Sequence, residues 1–388
     1  MSKTEQTLAA NPLRALHDYG QAVWLDYLSR RFITGGELQA LVENDGLTGV
    51  TSNPTIFEKA IIGSPDYDGS ITAAQQQPEF AVKALYERLA IEDIQRAADV
   101  LRAVYKATGG RDGYVSLEAS PYLAMDTQAT IAEARRLSKA VGRENVMIKV
   151  PATPPGLPAI RDLIGEGINI NITLLFSRRV YEDVVDAYLS GLERFIAQGG
   201  DPSRIASVAS FFVSRIDVAV DKLIEERLLG TDDVGMRATL SGLRGKIAIA
   251  NAKLAYQSYK RLFSGPRWSK LRARGAREQR LLWASTGTKN PAYTDVFYVE
   301  ELIAADTIST MPPATMEAFR DHGKVRPSLE EHIEEASRLM ATLDRLGISI
   351  DAVTAKLTEE GVRTFNQAFD KLLAGLDRKR ATAIHGSQ

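Results

Sequence analysis

The sequence predicts a single (β/α)8 barrel, on three observations. Eight short apolar segments alternate with segments of helical periodicity along most of the 388-residue chain. No Gly-rich dinucleotide loop follows any of the eight. A polar side chain stands near the C-terminal end of seven consecutive strands, the end where barrels of this type carry their chemistry. No linker or internal repeat divides the chain, so residues 1–388 read as one domain with additional helices.

Taken in order, Met1 to Asn11 is a polar lead-in, and Ala22 to Tyr27 is the first strand, carrying Asp26. Gly35 to Asn44 reads as a short helix closed by Asp45 and Gly46, and Gly49 to Ser52 as the second strand. Asn53-Pro54 opens a helix, since asparagine caps well and proline fits the first helical position. From Phe80 to Thr108 apolar residues recur at helical spacing, and Gly109-Gly110 ends the run. Tyr114 to Ala119 is the third strand, followed by a helix over Thr127 to Val141.

The fourth strand, Val146 to Val150, is continuously apolar apart from Lys149, the pattern of a strand covered on both faces. Thr153 opens the next helix, and Ile168 to Phe176 is the fifth strand, with Ser177 capping a long helix to Ile196. Ile205 to Val213 is the sixth strand, after which Ser214 and Asp217 have the spacing of a capping box. A helix follows over Leu243 to Phe263, then the seventh strand, Leu281 to Ser285. Val296 to Ile303 reads as helical and Thr307 to Met311 as the eighth strand. Two amphipathic helices, Leu329 to Leu346 and Ala352 to Leu376, complete the chain and pack on the barrel mouth or its side.

Composition narrows the function. A formal net charge of −1 gives no general attraction for nucleic acid or an anionic membrane, and no apolar stretch has the length of a membrane span. With no cysteine, a disulfide framework, a thiolate zinc site and a cysteine nucleophile are excluded. The four histidines lack metal-ligand spacing, so no metal is expected. The N-terminal residues have no signal-peptide core, and the expected location is the cytoplasm.

The chemistry centres on Lys149. Burial disfavours the charged form of a lysine, and a neutral amine at the mouth of a strand attacks a carbonyl to form a Schiff base. The iminium withdraws electrons, so a carbon–carbon bond two atoms away can break. A carboxylate at the mouth, Asp26, suits the removal of the hydroxyl proton, and Glu118 suits proton transfer to and from water held by Thr173. Asn53, Asn171 and Ser210 are neutral groups fit for a polyol, and Arg215 fits a phosphate.

Packing alone offers a second reading of each. Asn53 also serves as a helix cap, Asn169 and Asn171 as mutual partners, Asp26 and Glu118 as neutralising partners of Lys149, and Arg215 as a helix-face cation. The basic run from Arg267 to Arg280 reads as a solvated face.

The segments Gly49 to Phe57, Val146 to Ala152 and Ile168 to Ser177, in that order, resemble transaldolase, and the resemblance runs from Trp24 to the C-terminal helices. Trp283 to Tyr293 resembles the long bacterial branch of that family. The resemblance implies a barrel that uses no cofactor or metal. The implied reaction moves a dihydroxyacetone unit from sedoheptulose 7-phosphate to glyceraldehyde 3-phosphate, yielding erythrose 4-phosphate and fructose 6-phosphate. It implies Lys149 as the Schiff-base lysine, Asp26 and Glu118 as acid/bases, and Thr173 as the holder of the water. Asn53, Asn171 and Ser210 are implied substrate contacts, with Phe212, Arg215, Ser285 and Lys289 completing the substrate site.

One position departs from the pattern. Many members carry a phosphate-binding arginine two residues after the serine matching Ser285, and here that position is Gly287, which leaves Lys289 or Arg215 to compensate. Phe212 favours transfer, since simple aldolases of the family tend to place a tyrosine there. The alternatives are a fructose-6-phosphate aldolase-like enzyme releasing dihydroxyacetone, and a non-catalytic sugar-phosphate-binding barrel. The expected partners are small sugar phosphates, with no nucleic acid or membrane, and the expected state is a monomer or homodimer.

Overall fold

In a computed structural model, which describes residues 11–74 and 81–385, eight parallel strands close into a barrel in sequence order. They are β1 (Gln21–Asp26), β2 (Leu47–Thr51), β3 (Tyr114–Glu118), β4 (Val146–Pro151), β5 (Ile170–Leu175), β6 (Ser207–Phe212), β7 (Arg280–Ala284) and β8 (Thr307–Met311). β8 pairs with β1 and completes the cylinder. Strand pairing sets Glu118 beside Lys149 and Lys149 beside Asn171, so three polar positions on β3, β4 and β5 stand at one height.

Most helices follow from local signals. Asn53 accepts a hydrogen bond from the Ile56 amide at the head of Pro54–Ile62, and Ser177 does the same for Val180 in Arg178–Ala197. Asp126 caps Thr127–Val141, and Gly142 ends that helix in the left-handed region. The helix expected from Phe80 is seen from Val82 to Ala107; Phe80 and most of the lead-in, Met1 to Ala10, lie outside the described residues. Among the described residues no helix is long and apolar enough to cross a membrane.

Four expectations need correction. Ser214 and Asp217 form no capping box. The Ser214 hydroxyl meets Ser285 Oγ at 2.9 Å, while Asp217 accepts from the Ala248 amide at 2.7 Å and the Tyr298 hydroxyl at 3.0 Å. Tertiary partners have replaced the local ones.

Asn169 and Asn171 are not mutual partners, because Asn169 precedes β5 and each side chain is taken by other groups. Asn169 binds the Glu144 carbonyl and the Ala206 amide, and Asn171 binds Ser116 and Ser210. The helix expected over Leu243 to Phe263 starts later, as Ile247–Leu262, since Leu243 ends a separate helix, Val234–Leu243, and Gly245 between them lies in the left-handed region. Val296 to Ile303 contains only the single turn Phe297–Glu300.

The two C-terminal helices take different places. Ile333–Arg345 packs on the side of the barrel against Ile247–Leu262. Ile350–His385 crosses the mouth: Gly361 meets Leu174 at the end of β5, Phe369 meets Tyr86, and Gly375 meets Ile62. Phe365 thereby reaches the cavity at the barrel mouth. The basic run lies away from that mouth, with Arg267 paired to Asp186 and Glu193, and Arg280 to buried Asp112.

Gly49 is required by space. A Cβ there would stand 2.3 Å from Cε2 of Trp24, which is fully buried and donates to Asp112. Gly49→Ala is therefore expected to destabilise the barrel by about 1–3 kcal/mol through overpacking. The check is the denaturant midpoint, which should fall at unchanged slope.

Candidate active site

A cavity of about 190 Å³ opens at the C-terminal ends of the strands. Its wall carries Asp26, Asn53, Lys149, Thr173, Ser210, Phe212, Arg215, Ser285 and Lys289. Asn171 stands beneath this wall, fully buried: its amide donates to Ser116 Oγ at 3.0 Å, and its carbonyl accepts from Ser210 at 2.6 Å. It anchors Ser210 from below. Glu118 lines a second, narrower cavity instead, with Lys149 between it and the first.

Lys149 is 5% exposed and held from two directions. Its Nζ donates to the Ser52 carbonyl at 3.0 Å and to Glu118 Oε2 at 3.2 Å. Ser52 is itself fixed, because its hydroxyl donates to the Ser116 carbonyl at 2.7 Å. The amine is therefore aimed by the backbone after β2 and by the neighbouring strand β3.

The two carboxylates have different surroundings. Asp26 accepts from Thr51 Oγ1 at 2.7 Å, and Thr51 meets Thr310 at 3.0 Å. Burial raises the Asp26 carboxyl above its ordinary range, against the pull of Lys149, the Thr51 hydrogen bond, Arg215 and Lys289. Burial likewise raises Glu118, opposed by Lys149 and assisted by the charge of Asp26. Two carboxyls flank one amine, each with its own hydrogen-bond partner.

Neutral and cationic groups complete the wall. The Thr173 hydroxyl is buried and has no hydrogen-bond partner among the described residues. Asn53 spends its side-chain oxygen on the helix cap and also lines the cavity. The Arg215 guanidinium lies over the Phe212 ring, 5.3 Å from its centroid, and Phe176 packs against the same ring. Burial lowers the Arg215 pKa against the opposing pull of Asp26.

Neither Arg215 nor Lys289 forms an ion pair or hydrogen bond among the described residues. Two cations thus face the cavity without a protein anion in contact. The Lys289 ammonium lies 3.9 Å from the point where a Cβ at Gly287 would stand. That Cβ would meet Pro312 at 3.2 Å and Thr315 at 3.3 Å, so this turn is closed to a larger residue unless they yield. Ser285, at the head of the same turn, is held at φ +56 and tied to Ser214.

Several residues of the site escape a reading of the sequence. Thr310 at the exit of β8 shows the same polar signal as the other strands, and extending the tally to the eighth strand finds it. Thr51, directly before Ser52-Asn53, is found by the same rule. Phe365 gives no such signal, because it enters from a helix far along the chain. Among the described residues no cluster of His, Cys, Asp or Glu is placed to hold a metal ion. His17 binds the Gly46 carbonyl, and His322 pairs with Asp295 and Asp321.

Comparison with known proteins bears on this arrangement. The family model described as transaldolase/fructose-6-phosphate aldolase matches residues 23–376. The chain is 50% identical to a protein named transaldolase 2 from Nostoc sp., over 96% of this chain and 98% of that one. It is 47% identical to a transaldolase from Trichodesmium erythraeum over the same shares. To transaldolase 1 of Streptomyces coelicolor it is 48% identical, over 97% of this chain and 96% of the other.

The hydrogen bond from Thr51 favours the ionised form of Asp26, so removing it should push the carboxyl further up. In a carboxyl-carbon NMR titration, Asp26 is expected to protonate above 3.8, its ordinary value, as pH falls. In Thr51→Val the midpoint should move to still higher pH. A midpoint at or below the wild-type value would show that Thr51 does not hold the charge.

Proposed function

The chain belongs to the transaldolase/fructose-6-phosphate aldolase family, and on that premise we propose how the site performs transaldolase chemistry. The enzyme is a transaldolase, a transferase acting through a Schiff base. The substrates proposed are sedoheptulose 7-phosphate as donor and glyceraldehyde 3-phosphate as acceptor. The single observation that carries the residue roles is the buried amine of Lys149 between two separately held carboxyls.

The Lys149 amine adds to the ketose carbonyl, and Glu118, its hydrogen-bond partner, moves protons for that step. The protonated carboxyl of Glu118 donates to the carbinolamine hydroxyl, the carbon–oxygen bond breaks, and water leaves with an iminium on Lys149. Asp26 then takes the proton of the hydroxyl on the fourth carbon. The bond between the third and fourth carbons breaks, its electron pair passes to the iminium, and erythrose 4-phosphate departs. The resulting enamine adds to glyceraldehyde 3-phosphate as Asp26 returns its proton, and water releases fructose 6-phosphate.

Burial raises the proton affinity of Asp26, which supports its proposed role in both directions of transfer. The unpaired Thr173 hydroxyl supplies a donor and an acceptor for the water or a reacting oxygen. Asn53 and Ser210 face the polyol, with Asn171 holding Ser210 in place. The phosphate is proposed to lie between Arg215 and Lys289. The Lys289 ammonium lies 3.9 Å from the point where a Cβ at Gly287 would stand, which supports it as the substitute for the family's arginine.

Aldolase activity with release of dihydroxyacetone is the alternative within the same family, and it differs only in the fate of the enamine. Phe212, which lines the cavity beneath Arg215, carries no hydroxyl to protonate or hydrate it, which favours transfer. Small sugar phosphates remain the proposed partners, the cytoplasm the proposed location, and a monomer or homodimer the proposed state.

Incubation with fructose 6-phosphate and borohydride is expected to leave a dihydroxyacetone-sized adduct on Lys149, located by peptide mass mapping and absent in Lys149→Ala. Free dihydroxyacetone in stoichiometric amount without acceptor would instead select the aldolase. Lys289→Ala is expected to raise KM for the phosphorylated donor by roughly 10- to 100-fold, the scale of one charged hydrogen bond of about 1.5–3 kcal/mol. An unchanged KM would assign the phosphate to Arg215 alone.

A further inference from the structure

Glu118 lines a second cavity beside the substrate cavity, with its carboxyl bonded to Lys149, and the residues around that space suggest its use. Tyr86 and Phe369 line it together with Glu118, and Lys83, Glu87 and Glu133 also stand on its wall. These last three belong to a surface ion network: Lys83 lies 3.4 Å from Glu133 and 3.5 Å from Glu87, and Arg136 meets both carboxylates at 2.8 Å. The side chain of Lys83 is 42% exposed, so the cavity runs from a buried acid towards solvent. Its volume is about 10 Å³, near what a single water needs.

Tyr86 is held by edge-on contacts with Phe57 at 5.8 Å and Phe369 at 5.3 Å. Its hydroxyl makes no hydrogen bond among the described residues, although a largely buried phenol normally finds a partner. Burial first, then the charges of Glu118, Glu87 and Glu133, push the phenol well above its ordinary range. It therefore remains a neutral hydroxyl, able to donate and accept.

Resting on the Schiff-base reading above, we propose that this rear cavity is the route by which Glu118 exchanges water with solvent while a sugar phosphate fills the front cavity. Tyr86 is the positioning residue whose hydroxyl holds that water once it lies in the rear cavity beside Glu118, while Thr173 meets it on the front side. The need is chemical: each imine formation releases one water, each hydrolysis consumes one, and the front cavity is then occupied and roofed by Phe365. In the forward step the Glu118 proton goes to the carbinolamine oxygen, the carbon–oxygen bond breaks, and the water passes to the rear cavity. In the reverse step that water adds to the iminium carbon and returns a proton to Glu118.

The test uses fructose 6-phosphate in oxygen-18 water without acceptor, reading label at the carbonyl by mass spectrometry. Imine formation and reversal exchange that oxygen, and Lys149→Ala supplies the background. Tyr86→Phe is expected to slow exchange by roughly tenfold, a loss of about 1.4 kcal/mol of transition-state stabilisation, at unchanged KM. The preformed enamine should still consume an acceptor aldehyde at the wild-type rate, since that step needs no water. Ala90→Val, which narrows the same cavity and leaves the hydroxyl in place, should show the same pattern.

Exchange at the wild-type rate in both variants would overturn the route, as would an equal loss in aldehyde consumption. Absence of Lys149-dependent exchange in the wild type would overturn the Schiff-base reading itself, and this inference with it.

Discussion

The constraint on which the site depends is the burial of a lysine amine inside a closed barrel. A cation or amine so placed needs polar partners, because an unpaired one is strongly destabilising. Lys149 finds two, the Ser52 carbonyl and the Glu118 carboxyl, and each is anchored by β3. The same contacts that make burial tolerable also aim the nitrogen. Stability and reactivity are set by one small group of atoms.

From that amine the chemistry divides in space. Asp26, with Thr51 and Thr310 behind it, shares the front cavity with the two free cations. Glu118 occupies the other side of Lys149 and a separate cavity. In the proposed mechanism one carboxyl works where the sugar's bonds break, and the other where water is gained and lost. Differing environments let two like groups take different roles. The Ile350–His385 helix serves both, reaching the front cavity through Phe365 and the rear one through Phe369.

At the proposed phosphate end, the cations come from positions other than the one the family pattern uses. The turn after β7 begins with Ser285 in the left-handed region and is crowded by Pro312 and Thr315. Gly287 fits there, and a cation reaches the same region from two residues further on. Arg215, stacked on Phe212, approaches from the other side. A positive charge in the cavity depends on the point reached by the side chain, and less on the position from which it starts.

Barrel closure, strand order and most helix starts were legible in the sequence, since apolar runs, caps and prolines act over a few residues. So was the polar set at the strand ends, because the parallel fold carries each of those ends to the same mouth. Only the tertiary structure decided that Asp217 caps a distant helix, that Asn171 sits under the cavity, and that Glu118 lines a second cavity. It also decided that one C-terminal helix crosses the mouth while the other packs at the side. The reason is physical: local pattern says which face of an element is buried, while the partner that covers it is chosen by segments far away in the chain.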